Sequence, residues 1–112
     1  MNEFDFINKY LSSKKTSSKF SLKYKDDVGY ANNNIFSTDT ICEGVHFHRD
    51  DEPFLVAKKL IRVNVSDIIA KGITPKFCLL NLSLGGNVDD VWINNFMKGI
   101  DSDLNFFKLN LI

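Results

Sequence analysis

Residues 53–84 read PFLVAKKLIRVNVSDIIAKGITPKFCLLNLSL, and this stretch decides the fold. Pro53 suits the first helical position, and Asp50-Asp51-Glu52 before it suit the positive end of a helix dipole. From Phe54 to Lys71 the chain is long and apolar, with Val56, Leu60, Val63 and Ile68 as core candidates. Gly72 closes this helix and Pro75 prevents its continuation. Phe77 to Leu84 then carries few charged groups, so a strand covered on both faces is expected.

Working outward, Gly85-Gly86-Asn87 turns the chain into a second amphipathic helix from Asp89 to about Phe107. Val91, Trp92, Phe96 and Ile100 form its apolar stripe, and Asp89 is its expected cap. Lys108 to Ile112 opens another strand. On the N-terminal side, Phe4, Ile7 and Leu11 mark a short helix over Glu3–Ser12, and Lys14 to Lys19 reads as a solvated linker. Phe20, Leu22 and Tyr24 alternate like a half-buried strand. Gly29 and Asn32-Asn33-Asn34 signal a turn before a second strand, Ile35 to Asp39. Gly44 to Asp51 is expected to be a loop. The order α-β-β-α-β-α-β predicts an α+β fold, a mixed sheet with helices packed on one face, in a single domain over residues 1–112.

Composition narrows the function. Fourteen basic side chains balance fourteen acidic ones among 112 residues, which leaves no basic field for nucleic acid or an anionic membrane. No apolar run reaches a membrane span, and the acidic N-terminus, Met1-Asn2-Glu3-Phe4-Asp5, is unlike a signal peptide. Cys42 and Cys78 have neither metal-site spacing nor a close basic neighbour, so both are expected as reduced thiols in a cytoplasmic protein.

Three acidic spots carry candidate chemistry: Asp26-Asp27, Asp39 and Asp67. Gathered carboxylates repel one another unless a cation neutralises them, and oxygen ligands without His or Cys suit Mg²⁺. Plain alternatives stand beside this: turn chemistry at Asp26-Asp27, an ordinary strand exit at Asp39, and a solvated helix face at Asp67. His46 and His48 alternate along an extended segment, which sets them on opposite sides and makes surface histidines the default over a shared zinc site.

Several strings, in order and in register, resemble the thiamine-monophosphate kinase family. Ser37-Thr38-Asp39-Thr40 with Glu43-Gly44-Val45-His46-Phe47 resembles its S-T-D-x-x-x-x-G-x-H-F segment. Val63-Asn64-Val65-Ser66-Asp67-Ile68 with Gly72 and Pro75 resembles its N-L-S-D helix end, and Trp92-Ile93 with Phe96 its W-[IL]-x-x-F. Asp26-Asp27 stands where the family has G-D-D, with Lys25 in place of the glycine.

The resemblance implies the N-terminal domain of the fold shared with aminoimidazole ribonucleotide synthetase and selenophosphate synthetase. The latter is disfavoured because its reactive cysteine-containing N-terminal segment is absent. The implied activity is ATP-dependent phosphorylation of thiamine monophosphate to thiamine diphosphate, a direct phosphoryl transfer with no covalent nucleophile. It further implies Mg²⁺ ligation by Asp27, Ser37, Thr38, Asp39 and Asp67, and a contact of His46 with thiamine phosphate. Phe107, or its neighbour Phe106, falls near a family tyrosine beside the nucleotide. Two such N-terminal domains pair through the sheet, and a C-terminal domain completes each site. The family continues from Leu111-Ile112 into G-G-D-T, so a truncated or split chain is expected, inactive alone and completed by a separately encoded half. The rival expectation is a non-catalytic remnant or dimerisation module of the same fold.

Overall fold

The computed structural model describes residues 1–12, 26 and 28–112, which fall into two compact units, Met1–Thr38 and Asp39–Ile112. The linker expected at 14–19, the strand at 20–24, Lys25 and Asp27 lie outside the described residues.

In the first unit, helix α1 (Glu3–Phe6) starts at Asn2, whose side chain accepts the Asp5 N–H at 2.8 Å. It continues as a π-helical turn over Ile7–Leu11, where the Ser12 N–H reaches back five residues to the Ile7 carbonyl. Widening the turn breaks the 3.6-residue period on which the Phe4–Ile7–Leu11 stripe was expected, and Phe4 is exposed. Strand β1 (Gly29–Ala31) pairs antiparallel with β2 (Asn34–Phe36). The Asn-rich turn is therefore a hairpin turn, with Asn32 and Asn33 both at positive φ, 50° and 62°. A two-residue hairpin needs that geometry to match the twist of its strands, and Asn tolerates it. Gly29 belongs to a strand that the turn signal had hidden.

The second unit is built on helices α2 (Pro53–Ile69) and α3 (Asp90–Phe107). Pro53 opens α2 as expected, and the Asp89 side chain caps α3 by accepting the Trp92 N–H at 2.8 Å. The core consists of Val56, Ala57, Ile61 and Val65 from α2 with Phe96 and Ile100 from α3. Leu60, Leu80, Trp92, Leu104, Phe107 and Leu109 pack around it. Of the expected α3 stripe, Val91 is exposed, whereas its neighbour Trp92 in the same turn packs against the core.

The helices approach most tightly at Gly99. A Cβ there would lie 2.8 Å from that of Ala57 and closer still to the Phe54 carbonyl oxygen. One turn further, Asp103 is completely buried. Its oxygens accept hydrogen bonds from Arg62 Nε at 3.0 Å and Nη2 at 3.2 Å, and Lys58 Nζ lies 3.7 Å away. The Asp103 carboxylate, through those hydrogen bonds and its charge, raises the Arg62 pKa further.

Strand β3 (Phe77–Cys78) pairs in parallel with β4 (Asn110–Leu111), reached from α3 through Lys108 in the left-handed region at φ 54°. The architecture is α+β, with one antiparallel and one parallel ladder among the described residues. The expectation that Phe77 to Leu84 is covered on both faces is corrected. Leu80 packs inward, whereas Phe77 is 65% and Leu79 is 81% exposed. Residues pair as Phe77 with Asn110 and Cys78 with Leu111, so Phe77 and Leu79 share the sheet's outer side, away from the core.

Substitution at the helix crossing tests this account. Gly99→Ala is expected to lower unfolding free energy by about 1–3 kcal/mol, since the backbone at Phe54 must move. Asp103→Asn is expected to cost about 2 kcal/mol through weakened charge-assisted bonds. Urea unfolding followed by Trp92 fluorescence measures both; a midpoint unchanged in either variant would contradict the packing described.

Candidate functional site

One acidic candidate, Asp39, is tied to α2 through its backbone. Asn64 projects from this helix, and its Oδ1 accepts the backbone N–H of Asp39 at 2.7 Å. Its Nδ2 donates to the Leu60 carbonyl at 2.9 Å and lies 3.4 Å from the Asp39 carbonyl oxygen. Asp67 stands three residues beyond Asn64, one helical turn along the same face. The chain at Asp39 is thus tied beside the turn that carries Asp67, joining residues far apart in sequence.

Ser37 and Thr38 end the first unit, directly before Asp39 in the chain, with Ser37 half-buried and Thr38 exposed. Among the described residues, no group of three or more His, Cys, Asp or Glu side chains comes together as a metal cage. The carboxylates of Asp39 and Asp67 fit Mg²⁺ by donor chemistry alone, because this ion keeps waters and phosphate oxygens in its shell and seldom takes an all-protein cage.

His46 sits in a tight turn. Gly44, at φ 80°, donates its N–H to the Phe47 carbonyl at 2.7 Å, and the His46 N–H reaches the Cys42 carbonyl at 2.9 Å. Ile41 and Phe47 on either side pack against the core, and Lys59 of α2 donates to the His46 carbonyl oxygen. The imidazole Nδ1 accepts the Cys42 N–H at 2.9 Å. A nitrogen that accepts carries no proton, so the ring proton sits on Nε2, a donor on an exposed side chain. His48 is also exposed, and its backbone N–H is taken by Asp51 at 2.8 Å, so the two histidines have separate surroundings.

Phe107 is half-buried against the core, and the Arg62 guanidinium stands 5.8 Å from its ring centre. Phe106 meets Phe107 edge-on at 4.8 Å and is 71% exposed. Of the two candidates named for the nucleotide, Phe106 has its ring open to solvent.

Asn64 and Lys59 stand outside the candidates that the sequence offers. An Asn between two valines in mid-helix competes poorly for helix and is a signal that could have found the first. Lys59 carries no such mark, as lysine is ordinary on a helix surface.

The family model described as AIR synthase related protein, N-terminal domain, matches residues 25–112. The thiamine-monophosphate kinase of Buchnera aphidicola subsp. Schizaphis graminum is 35% identical over 117 residues, covering 99% of this chain and 36% of that protein. The crystal structure of the Aquifex aeolicus thiamine monophosphate kinase superposes with a TM-score of 0.77 at 33% identity, over 97% of this chain and 35% of that one. AaThiL complexed with AMPPCP and TMP gives a TM-score of 0.74 at 34% identity, over 78% of this chain and 29% of that one. The chain spans about a third of the length of the curated relatives it matches. No helix among the described residues is long and apolar enough to cross a membrane.

The two thiols differ in a way that reports on the site turn. Cys42 is exposed in the His46 turn, whereas burial raises the Cys78 pKa and shrinks its thiolate fraction at neutral pH. Iodoacetamide at pH 7.5, read by peptide mass spectrometry, is expected to modify Cys42 first; equal rates would contradict the burial at β3.

Proposed function

The chain belongs to the AIR synthase-related family through its N-terminal domain, and from that premise we propose that it is the N-terminal part of an ATP-dependent thiamine-monophosphate kinase. The observation that supports this reading is that Asn64, three residues before Asp67 on α2, holds the backbone N–H of Asp39 within the stretch shared with those kinases. In the reaction, a phosphate oxygen of thiamine monophosphate attacks the γ-phosphorus of ATP. The bond to the β–γ bridging oxygen breaks, leaving thiamine diphosphate and ADP. Such transfer gathers several negative charges, so the protein's work is positioning and charge neutralisation.

In this proposal Asp39 and Asp67, with Asp27, Ser37 and Thr38, hold Mg²⁺. A metal ion held there would supply charge neutralisation for the phosphate groups. His46 offers Nε2–H to a phosphate oxygen of the acceptor, its ring orientation set by the Cys42 N–H and its backbone by Lys59. Phe107, or the more open Phe106, lies toward the nucleotide. No covalent nucleophile is involved. The relatives hold about two further thirds of sequence, and that part, on the same or a separate polypeptide, completes the site.

Pairing of two copies is part of the same proposal. The outer side of the β3–β4 ladder bears Phe77, Leu79 and Ile112, all exposed, and Ile112 is itself 75% exposed. Apolar sheet faces are stable when a second layer covers them, here the matching face of another copy.

A chimera tests the activity directly: these 112 residues replace the matching third of the Aquifex aeolicus kinase, and thiamine diphosphate is measured from ATP, Mg²⁺ and thiamine monophosphate. Turnover is expected, falling by about 100-fold or more in Asp39→Asn. A folded chimera that makes no product would count against the kinase reading. Light scattering of the purified chain tests pairing, with twice the chain mass expected and a monomer expected for Leu79→Lys. A monomeric parent chain would sink the pairing.

A further inference from the structure

We infer that Lys59 is a positioning residue: by bonding the His46 carbonyl oxygen it fixes how the Cys42–Phe47 turn sits on α2, and so where His46 presents its Nε2–H. The inference rests on the proposed kinase reading, in which His46 meets the phosphate of the acceptor.

Two sets of contacts act on His46, and they control different things. The first set is internal to the turn. Gly44 donates to the Phe47 carbonyl at 2.7 Å, and Val45 and His46 donate to the Cys42 carbonyl at 3.2 and 2.9 Å. The Cys42 N–H holds the imidazole Nδ1 at 2.9 Å. Each of these bonds begins and ends within residues 42–47, so they travel with the turn. They fix the ring and its tautomer relative to the turn, and leave the placement of the whole turn open.

The second set joins the turn to the rest of the unit. Ile41 and Phe47, at its two ends, pack against the core. Apolar contact is non-directional, so two such anchors hold the turn down while it can still pivot about the line between them. A third, directional contact removes that pivot. Among the described residues, the bond from Lys59 Nζ to the His46 carbonyl oxygen is the one hydrogen bond between this turn and α2. It falls on the residue whose side chain the proposed site uses.

The type of residue matters. An ammonium on a carbonyl oxygen is a charge-assisted bond, stronger than a neutral one. The ion pairs that α2 makes with Asp103 use Lys58 and Arg62, which leaves Lys59 to the turn. Methionine keeps an unbranched stem and a good helix preference but donates nothing. Arginine keeps the charge and the donors.

The test compares Lys59→Met and Lys59→Arg with the parent. In the full chain, NMR reads residual dipolar couplings of the 43–47 amides against those of α2, and the imidazole nitrogen shifts of His46, which report its tautomer. In the kinase chimera, KM is measured for thiamine monophosphate and for ATP. In Lys59→Met the turn's couplings are expected to depart from the alignment of α2, while the His46 proton stays on Nε2. KM for thiamine monophosphate is expected to rise about 10-fold with KM for ATP unchanged, since misplacing a binding group weakens the ligand it meets. Lys59→Arg is expected to recover most of both changes, and circular dichroism checks that α2 persists in each variant. Parent-like couplings in Lys59→Met would overturn the positioning role and leave the kinase reading intact. Equal rises in both KM values would make Lys59 a general support of the fold and overturn it as well. A changed tautomer would overturn the division between the two sets of contacts. A folded parent chimera that makes no product would sink the kinase reading and the substrate role of Lys59 with it, whatever the couplings show of the turn.

Discussion

The second unit depends on how closely α2 and α3 approach at Gly99. Because no side chain intervenes there, the Phe54–Ala57 turn comes near enough for the next turn of each helix to meet without a gap. That meeting encloses Asp103 completely, and an enclosed carboxylate is tolerable only when its oxygens are paired. Arg62 supplies a two-pronged pair and Lys58 a second cation, and no buried polar side-chain atom is left without a partner among the described residues. Such a pair is weak as a source of stability but strict about geometry: a rotation of α3 by one residue would bury the charge without its partner. The apolar contacts of Ile61, Phe96 and Ile100 hold the helices together, and the Asp103 pair selects their register.

With its register set, α2 is used on more than one side. Ala57, Ile61 and Val65 face the core at four-residue intervals. Lys59 and Asn64 leave the same helix toward the segment that precedes it, and tie down the backbone at His46 and at Asp39. A site on such a helix is more precise than one on loops alone, since α2 is rigid through its packing and the loops borrow that rigidity. The proposed phosphate chemistry asks for little else from the protein, because its barrier lies in bringing like charges into line.

The uncovered side of the β3–β4 ladder is the part of the second unit that its own residues do not finish. Its inner side is closed by Leu80 and Leu109 against the helices, while Phe77 and Leu79 point outward. A two-stranded parallel ladder is marginal alone, and parallel strands are normally covered on both faces.

Much of this was legible in the residues because the signals were local. Pro53, Gly72 and Asp89 mark helix ends through their own backbone and side-chain chemistry, and the strings around Asp39, His46 and Asp67 carry the family resemblance. Other features depended on neighbours distant in the chain. Nothing near Asp103 says that it is buried, since its pairing with Arg62 exists only once two helices cross. Val91 fits the apolar period of α3 yet faces solvent, while its neighbour Trp92 takes the core-facing place in that turn. The run Phe77 to Leu84 looked fully covered because hydrophobicity reports a wish for cover and not its presence. The sequence by itself determined where the helices start and stop and which residues carry the family resemblance. Only the tertiary structure decided that Asn64 holds the backbone at Asp39, because a hydrogen bond across 25 residues depends on where the chain returns.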